Sequence, residues 1–371
     1  MTGSGFAFSV VAREDEARVG VLNTPHGRVD TPAFMPVATY GAVRGVDPGE
    51  LGDAGARIVL ANTYHLHERP GETVVAGLGG LHGFTGWTGP WLTDSGGYQV
   101  TSLAHKARID EEGVTFASPL DGARRQLTPE SAVRIQEALG ADIAMVLDQC
   151  IPPDDGSDAR HAMERTLRWA ERAVRARKRD DQWLFGIVQG GTSDPLRRHS
   201  ARHTSELGFD GYAHGGLGLG EPEDRRTALV ALAHAELPES APRYLMGLGR
   251  PVDIVEAVAV GVDLFDCVLP TRHARHGVLF THSGLLRIRN ARFRDDARPV
   301  DAACDCSTCR TFSRAYLRHL LHTGEALGAR LASVHNLRFY LRLMEEARAS
   351  IAQGSFAALR ARVAATTGDA D

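Results

Sequence analysis

Several common features are missing from this sequence of 371 residues. No stretch of about 18 apolar residues occurs, so no membrane-spanning helix is expected. The segment Met1 to Phe8 has neither a basic start nor an apolar run. We therefore expect no signal peptide and a cytoplasmic location. No internal repeat or low-complexity tract is present, which argues against a solenoid or a fibrous protein.

Lysine is absent from the last part of the chain, residues 271–371. This segment carries 16 Arg against 9 Asp or Glu, a balance of +7, whereas the other residues carry 26 basic and 37 acidic side chains, a balance of −11. An Arg-rich segment on an acidic body favours a polyanionic partner, because the guanidinium group matches phosphate geometry. A solvated helical face explains the charge equally well.

Cysteine is scarce. The five cysteines are Cys150, Cys267, Cys304, Cys306 and Cys309. An odd count, with three thiols inside six positions, does not fit a disulfide framework. Those three form C-x-C-x2-C, and His335 follows, which together supply the tetrahedral thiolate and imidazole shell that zinc prefers. We expect one structural zinc ion at these four residues, with His319 and His322 as alternative fourth ligands.

Short apolar runs recur along the chain and are separated in several places by amphipathic helical patterns. The runs are Thr31–Ala38, Arg57–Asn62, Trp91–Ser95, Ile143–Cys150, Leu184–Gly191, Tyr212–Glu221, Tyr244–Gly249 and Val262–Pro270. Near-continuous apolar runs are typical of parallel strands covered on both faces. Eight strands alternating with helices predict an α/β fold, an irregular (β/α)8 TIM barrel.

The barrel is irregular because several segments do not fit the repeat. Thr63–Pro90 and Gly96–Leu127 are long, glycine-rich connections, which favours lids or binding loops. The pattern of Phe6–Val29 predicts antiparallel strands that cap the bottom of the barrel. We expect one catalytic domain over residues 1–371, with a zinc-binding subdomain at 296–340. Helices are expected at Pro129–Leu139, where proline follows Thr128 as a cap, at Phe312–His322 and near Asn336–Ala352.

Polar residues collect where the predicted strands end, which is where barrel enzymes place their active sites. They are Asn62, Asp94, Asp148, Gln189, Gly215, Gly216, Met246, Gly247 and Asp266. Carboxylate and amide groups can read the edge of a flat heterocycle, and glycine backbone lets it approach closely. A further carboxylate could attack an anomeric carbon, as in retaining glycosidases. With a purine-like leaving group, this chemistry would be N-glycosidic base exchange.

The motifs at these positions resemble those of bacterial tRNA-guanine transglycosylases. The matching blocks are NTYHL (Asn62–Leu66), DSGGYQV (Asp94–Val100), EEGVTF (Glu111–Phe116), GIVQGG (Gly186–Gly191), GGLxxGE (Gly215–Glu221), YLMGxG (Tyr244–Gly249), DxFDCVLPTR (Asp263–Arg272) and the CxCxxC…H set. The resemblance covers nearly the whole chain. It implies exchange of guanine 34 in tRNAs with GUN anticodons for a 7-deazaguanine, in queuosine modification.

The resemblance also implies a role for individual residues. Asp266 would be the nucleophile on C1′, through a covalent ribosyl intermediate, and Asp94 the general acid and base. The residues expected to contact the base are Asp94, Ser95, Tyr98, Asp148, Cys150, Gln189, Gly216, Leu217 and Met246. Of these, Tyr98 and Met246 would stack on its faces. Arg272 and Arg275 would contact the anticodon loop, since RNA is often read by splaying out a loop base.

Some positions depart from the family pattern. They are Gln149, His214, Gly218, Leu219, His273 and His276. Leu219 lies close to the expected base-reading backbone and bears on base specificity. Cys150 favours the small base 7-aminomethyl-7-deazaguanine (preQ1) over the bulkier queuine. A homodimer is also expected, with Phe312, Tyr316 and His319 on one helix face at the interface.

Two other functions remain open at this stage. A zinc-dependent barrel hydrolase would hold a catalytic metal through strand-end histidines, and His65, His67 and His214 are the candidates. A catalytically silent RNA-binding subunit is the other alternative, although it would be expected to lack one of the two catalytic aspartates.

Overall fold

The computed structural model describes residues 5–99, 107–151 and 158–366. The strands in this part are β1 (Ala7–Glu14), β2 (Ala17–Thr24), β3 (Gly27–Thr31), β4 (Ala33–Ala38), β5 (Val59–Ala61), β6 (Trp91–Thr93), β7 (Arg108–Ile109), β8 (Val114–Ala117), β9 (Arg124–Leu127), β10 (Ile143–Met145), β11 (Trp183–Val188), β12 (Gly211–His214), β13 (Arg243–Leu245), β14 (Leu264–Cys267), β15 (Val278–Thr281) and β16 (Gly284–Arg287).

The helices are α1 (Pro48–Asp53), α2 (Thr63–Glu68), α3 (Glu72–Gly77), α4 (Gly80–Thr85), α5 (Pro129–Leu139), α6 (Ala159–Ala176), α7 (Asp194–Glu206), α8 (Glu223–His234), α9 (Pro251–Ala259), α10 (Leu269–His276), α11 (Ser307–Thr311), α12 (Arg314–Thr323), α13 (Ala326–Gln353) and α14 (Phe356–Ala365), with a 3-10 turn at Ala291–Phe293. None of these helices is long and apolar enough to cross a membrane.

Eight parallel strands form a closed barrel at the centre of the molecule. Their order around it is β10-β11-β12-β13-β14-β4-β5-β6. Each of the eight predicted apolar runs overlaps one of these strands. The runs extend past the strands at their carboxyl ends, where some residues, such as Val146 and Leu147, stay buried. The predicted (β/α)8 barrel is confirmed.

Helix α5 shows how local sequence sets an element. The Thr128 side chain accepts a hydrogen bond from the Ser131 backbone N–H, Pro129 occupies the first turn, and Gly140 ends the helix at φ 72°. Proline suits the first turn because it has no N–H to leave unpaired, and glycine adopts the left-handed conformation easily. The predicted helix Pro129–Leu139 has these bounds.

Strands β1–β3 form an antiparallel sheet that covers the amino ends of the barrel strands. Arg18 of β2 donates to Asp263, which directly precedes β14, and this ion pair is fully buried. Phe6 stacks on Trp183, the first residue of β11, with ring centroids 5.0 Å apart. These contacts confirm the predicted cap on the bottom of the barrel and leave the carboxyl ends for the site.

The two long connections contain regular structure. Thr63–Pro90 holds the short helices α2, α3 and α4, and the described part of Gly96–Leu127 holds the antiparallel sheet β7-β8-β9. Both follow strands at the carboxyl end of the barrel. They surround the residues expected to be catalytic.

The segment after the barrel builds a small second core. Its members include Ala274 of α10, Leu279 and Leu286 of the β15-β16 hairpin, and Leu317 and Ala332 of α12 and α13. The predicted helix Phe312–His322 is present as α12 (Arg314–Thr323), but its predicted start was wrong: Phe312 is extended with φ −119°, and Ser313 caps the helix. Helix α13 starts at Ala326, ahead of the predicted start near Asn336.

Candidate active site and metal site

Asp94 directly follows β6 and is held by four donors. Its Oδ1 accepts from the backbone N–H groups of Thr63 (3.0 Å) and Gly96 (3.1 Å). Its Oδ2 accepts from the side-chain amides of Asn62 (2.6 Å) and Gln99 (3.2 Å). Asn62 also caps α2 by accepting from the His65 N–H. The connection after β5 therefore fixes the orientation of this carboxyl group.

Asp266 lies at the end of β14 and has a different environment. The Tyr244 hydroxyl donates to its Oδ1 at 2.6 Å, and the Gly247 N–H donates to the same oxygen at 2.7 Å. Within the described residues, Oδ2 of Asp266 accepts no hydrogen bond. One oxygen of the carboxylate is thus anchored, and the other is left for a ligand.

The protonation of both carboxyl groups is shifted by their surroundings. Burial raises the pKa of Asp94 to about 7, and the charge of Asp266 adds to this effect. Burial also raises the pKa of Asp266, while the hydrogen bonds from Tyr244 and Gly247 lower it. A carboxyl group with a pKa near 7 can both give and take a proton at neutral pH.

Asp148 and Gln189 form the second polar pair of the site. Asp148 follows β10, Gln189 follows β11, and the Gln189 amide donates to Asp148 Oδ2 at 2.6 Å. Both side chains are buried. A Cβ on Gly215 would lie 2.4 Å from Gln189 Nε2, and one on Gly216 would lie 2.6 Å from Gln189 Oε1. The two glycines therefore permit the close approach of the amide.

Arg197 of α7 is a residue of this site that sequence reasoning missed. Its guanidinium is buried and donates to the carbonyl groups of Gly191 (2.8 Å), Val188 (3.0 Å) and Gly215 (2.8 Å). Burial lowers its pKa to about 10. It joins the carboxyl ends of β11 and β12, which carry Gln189 and the glycine pair. No local motif marks an arginine on an outer helix for this position.

The remaining residues expected to contact the base also lie at the carboxyl ends. Burial raises the pKa of Cys150 to about 12, so its thiol stays protonated, and the Gly216 N–H faces it. Leu217 packs in a buried cluster with Leu245 and Leu248, so its side chain is not available to a ligand. Met246 packs on the barrel core. Ser95 is buried and accepts from the Gly97 N–H at 3.3 Å, whereas Tyr98 is exposed.

The loop after Gly216 is fixed by a carboxylate. Glu221 accepts from the N–H groups of Gly218 (2.6 Å) and Leu219 (3.1 Å) and pairs with Arg226 at 2.6 Å. Arg226 pairs in turn with Asp253. The Leu219 side chain is 38% exposed, so the departure at this position changes the surface of the loop and leaves its backbone anchored.

The other departures from the family pattern have local partners. Gln149 accepts from Arg165 at 2.6 Å. His214 is buried between β12 and α8, where its Nε2 lies 2.9 Å from His234 Nε2. His273 stacks on Phe280, and His276 Nδ1 bonds to the Arg272 carbonyl at 2.7 Å. His214 thus packs in the barrel wall.

Helix α10 begins two residues after β14 and carries Arg272 and Arg275. Arg272 is exposed and Arg275 is half-buried. Several of the arginines that make residues 271–371 basic are instead paired with carboxylates. Examples are Arg298 with Asp296, Arg314 with Asp296, Arg330 with Asp47, Arg338 with Asp305 and Arg360 with Glu256. The charge excess alone therefore does not identify an RNA surface, and the arginines of α10 are the ones next to the site.

Cys304, Cys306, Cys309 and His335 come together in the second core and could hold a metal ion. The Sγ atoms of Cys309 and Cys306 lie 3.3 Å and 3.7 Å from His335 Nδ1. Ligands of a tetrahedral zinc ion lie roughly 3.5 Å apart. His335 Nε2 donates to the Phe280 carbonyl at 2.8 Å, which leaves Nδ1 unprotonated for a metal.

The alternative fourth ligands His319 and His322 are exposed and lie outside this group. One other group within the described residues is close enough to hold a metal: His26, His82 and Asp142, at the amino end of the barrel. The two rings are stacked 3.5 Å apart, which prevents a metal from lying in both ring planes. Neither group contains His65, His67 or His214, so the hydrolase alternative lacks a metal centre in the described part of the chain.

The closed parallel barrel, with paired carboxyl groups at its strand ends, defines a (β/α)8 enzyme. The chain belongs to the queuine tRNA-ribosyltransferase family: the family described as "Queuine tRNA-ribosyltransferase" matches residues 14–369. It is 55% identical over 352 residues to a protein of that name from Thermus thermophilus, covering 95% of this chain and 91% of the relative.

Other relatives of the same name give similar values. The protein from Nitrosomonas europaea is 54% identical over 350 residues, with 94% of each chain covered. The protein from Marinobacter nauticus is 50% identical over 371 residues, covering 98% of this chain and all (100%) of the relative. The resemblance inferred from the motifs is confirmed.

Proposed function

We propose that this tRNA-guanine transglycosylase exchanges guanine 34 of GUN anticodons for preQ1 through a covalent intermediate on Asp266. The observation that carries the proposal is the difference between the two carboxyl groups. Asp94 uses both oxygens to accept hydrogen bonds, whereas Asp266 keeps Oδ2 without a donor in the described part. A nucleophile needs such a lone pair pointed at its target.

The two half-reactions balance as follows. Asp266 Oδ2 forms a bond to C1′ of the nucleotide while the C1′–N9 bond breaks, and its electron pair leaves with guanine. Asp94 gives its proton to the departing base. In the second half, Asp94 takes the N9 proton of preQ1, whose nitrogen attacks C1′ and releases Asp266. The raised pKa of Asp94 supports this alternation of acid and base.

For base recognition, we propose that Asp148, Gln189 and the backbone of Gly216 and Leu217 contact the edge of the base. The buried Asp148–Gln189 hydrogen bond supports this role, because a ligand with matching donors and acceptors can replace it. Ser95 and Cys150 would complete the pocket, and Tyr98 and Met246 would stack on the base. Cys150 at this position favours preQ1 over queuine, as the family resemblance implies.

Two structural features belong to the same proposal. We propose that the Cys3His group binds one structural zinc ion, because its three thiols and one imidazole leave no position for a substrate. We also propose that residues 296–340 form a zinc-binding subdomain of the single catalytic domain.

We also propose a homodimer. The exposed ring of Tyr316 stacks on Phe312, with centroids 5.4 Å apart, and His319 is exposed beside it.

Incorporation of labelled guanine into a GUN tRNA tests the proposed nucleophile. Asp266→Asn should abolish exchange and leave no RNA–protein adduct that survives denaturation, because the amide is a poor nucleophile. Asp53→Asn, at an exposed position of α1, is the matched control and should behave like the wild type. Full activity of the Asp266 variant would contradict the assignment.

A further inference from the structure

The loop after β4, residues 39–46, runs along the mouth of the cleft. In the barrel, β4 lies between β14, which carries Asp266, and β5, which leads to Asn62. Parallel strands place their following loops at the same end. The loop therefore lies between the strand of the proposed nucleophile and the segment that binds Asp94.

Tyr40 in this loop presents an aromatic ring to solvent. It is 56% exposed, and its ring centroid lies 4.8 Å from that of His65 at an angle of 49°. His65 belongs to α2, whose first residue, Thr63, donates to Asp94. Burial lowers the pKa of His65, so its ring is neutral at pH 7. The exposed ring of Tyr40 is thus supported from behind by an element tied to the catalytic carboxyl group.

Arg44 lies at the other end of the loop, on the side of Arg272 and Arg275 of α10. β4 pairs with β14, which leads into α10, so the loop and the helix follow neighbouring strands. Burial lowers the pKa of Arg275, and the charges of Arg44 and Arg272 lower it further. Nη1 of Arg275 is buried without a hydrogen-bond partner. Within residues 5–99, 107–151 and 158–366, none of the three arginines forms an ion pair with a carboxylate. A buried, unpaired guanidinium donor among like charges is stabilised by an anion.

We propose that Tyr40, backed by His65, stacks on a nucleobase next to the exchanged nucleotide, while Arg44 and Arg275 bind a phosphate beside that base. The inference rests on the proposed function and adds a second base-binding position to it. Aromatic rings interleaved with arginines are what single-stranded RNA requires, since every base has a face to stack on and every nucleotide carries a phosphate.

The test uses the full-length protein and an anticodon stem-loop RNA with labelled guanine. Base stacking contributes enough that Tyr40→Ala should raise KM for the RNA roughly 5- to 100-fold. The Asp94 and Asp266 contacts are untouched, so kcat should change little. Tyr40→Phe keeps the ring and should behave like the wild type. A KM for Tyr40→Ala equal to that of the wild type would overturn the proposal.

Abasic RNAs distinguish stacking from a loss of loop structure. Two stem-loops, each lacking the base on one side of the exchanged nucleotide, are compared with the intact loop. On one of them the effect of Tyr40→Ala should disappear, because the stacked base is already missing. An equal KM effect on all three RNAs would show that Tyr40 shapes the loop and does not stack on a neighbouring base.

The phosphate contact is tested by salt dependence. Arg44→Met should weaken RNA binding and reduce the slope of log Kd against log salt by about 0.7 for one lost single-strand phosphate. Arg28→Met, an exposed arginine at the opposite end of the barrel, is the control and should leave the slope unchanged. An unchanged slope in Arg44→Met would contradict the phosphate contact. If the wild type exchanged no guanine at all, the proposed function itself would fail, which is a different outcome.

Discussion

Two aspartates of the same cleft acquire different chemistry from their neighbours. Asp94 is surrounded by four N–H donors and is buried, and the opposing effects leave its pKa near 7. Asp266 is anchored by one phenol and one backbone N–H. The sequence predicted that both lie at strand ends. It could not predict which oxygen is free, because that depends on Tyr244 and Gly247 of a neighbouring strand.

The raised pKa of Asp94 predicts opposite pH dependences for the two half-reactions. Formation of the covalent adduct needs protonated Asp94, so its rate should fall as pH rises through about 7. Release by the incoming base needs ionised Asp94, so its rate should fall as pH drops through the pKa of this group in the adduct. Single-turnover kinetics between pH 5.5 and 8.5 would measure both. Parallel profiles for the two steps would contradict a shared acid and base.

Other residues of the site could not be found from sequence at all. Arg197 lies on an outer helix and Tyr40 on a loop, and each reaches its partner through tertiary packing. The strand-end aspartates were found because parallel strands always present their carboxyl ends together. Periodicity identifies an edge of the barrel, and it does not identify which side chains of the surrounding layer reach that edge.

At the scale of elements, the turn after β12 leaves no space for an added side-chain atom at Gly215. Gly215→Ala would place a Cβ 2.4 Å from Gln189 Nε2 and 2.8 Å from Ile187 Cγ2. Overpacking of this kind costs about 1–3 kcal/mol, and here it displaces the amide from Asp148. Because a cost of this size reduces binding of the base, the rate of base exchange should fall about tenfold or more.

Steady-state kinetics with guanine as the varied substrate would check this. Gly52→Ala in α1 is the matched control, since nothing lies within 4 Å of its added Cβ. Equal KM values for guanine in both variants would show that the Gln189 contact is not used to bind the base.

The His214–His234 pair between β12 and α8 predicts sensitivity to acid. Burial lowers the pKa of His214 to about 3 and that of His234 well below 6.5. The unfolded chain therefore binds more protons below pH 6.5, and stability present above that pH is lost as pH falls. Each imidazole should lower the free energy of unfolding by about 1.4 kcal/mol for every pH unit below 6.5.

Denaturant unfolding at pH 7.5 and 5.5 would measure the loss. In a variant with both histidines replaced by leucine, the part of the pH dependence that they contribute should disappear. An unchanged difference between the two pH values in that variant would show that other groups control the acid sensitivity.

Elements with their own signals were predicted well, and those without were not. Helix α5 carries its cap, its proline and its final glycine in sequence, so its bounds were correct. Phe312 was wrongly placed in a helix, because its extended backbone separates α11 from α12 where both pack in the second core. The sheet β7-β8-β9 was missed because its short strands pair only within a long connection.

At the scale of the whole molecule, the Cys3His group supports the cleft from a distance. Cys306 and Cys309 share a core with Ala274, which lies on the helix between Arg272 and Arg275. Asn336, next to His335 on α13, donates to the Pro270 carbonyl at the start of that helix. The metal site, α13 and the arginine-bearing helix are therefore one packed unit.

Metal removal should disrupt this unit before the barrel. Structural zinc contributes on the order of 10 kcal/mol in small metal-folded units, so chelation should release one zinc ion per chain and unfold the second core. RNA affinity should fall while the far-ultraviolet spectrum of the barrel persists. Metal analysis, calorimetry and RNA binding would check this, with Cys309→Ser expected to match the chelated protein. A chelated protein that binds RNA normally would contradict the link.

The proposed homodimer depends on the surface formed by Phe312, Tyr316 and His319. Alanine at Phe312 and Tyr316 removes both stacked rings and should shift the mass in solution from a dimer toward the 40.0 kDa monomer. Val174→Ala, an exposed apolar position on α6, is the control. Sedimentation of all three proteins would measure the masses, and an unchanged mass in the double variant would place the interface elsewhere.

The position of α13 in the chain has a consequence for biosynthesis. The last barrel strand ends at Cys267, but the helix that buttresses Arg272 and Arg275 spans Ala326–Gln353. Synthesis therefore completes all eight barrel strands before this helix is made. At that stage the chain contains both aspartates, whereas the helix that supports Arg272 and Arg275 is still missing. We expect the arginine-bearing surface to take its final form last, after the strands that carry the aspartates.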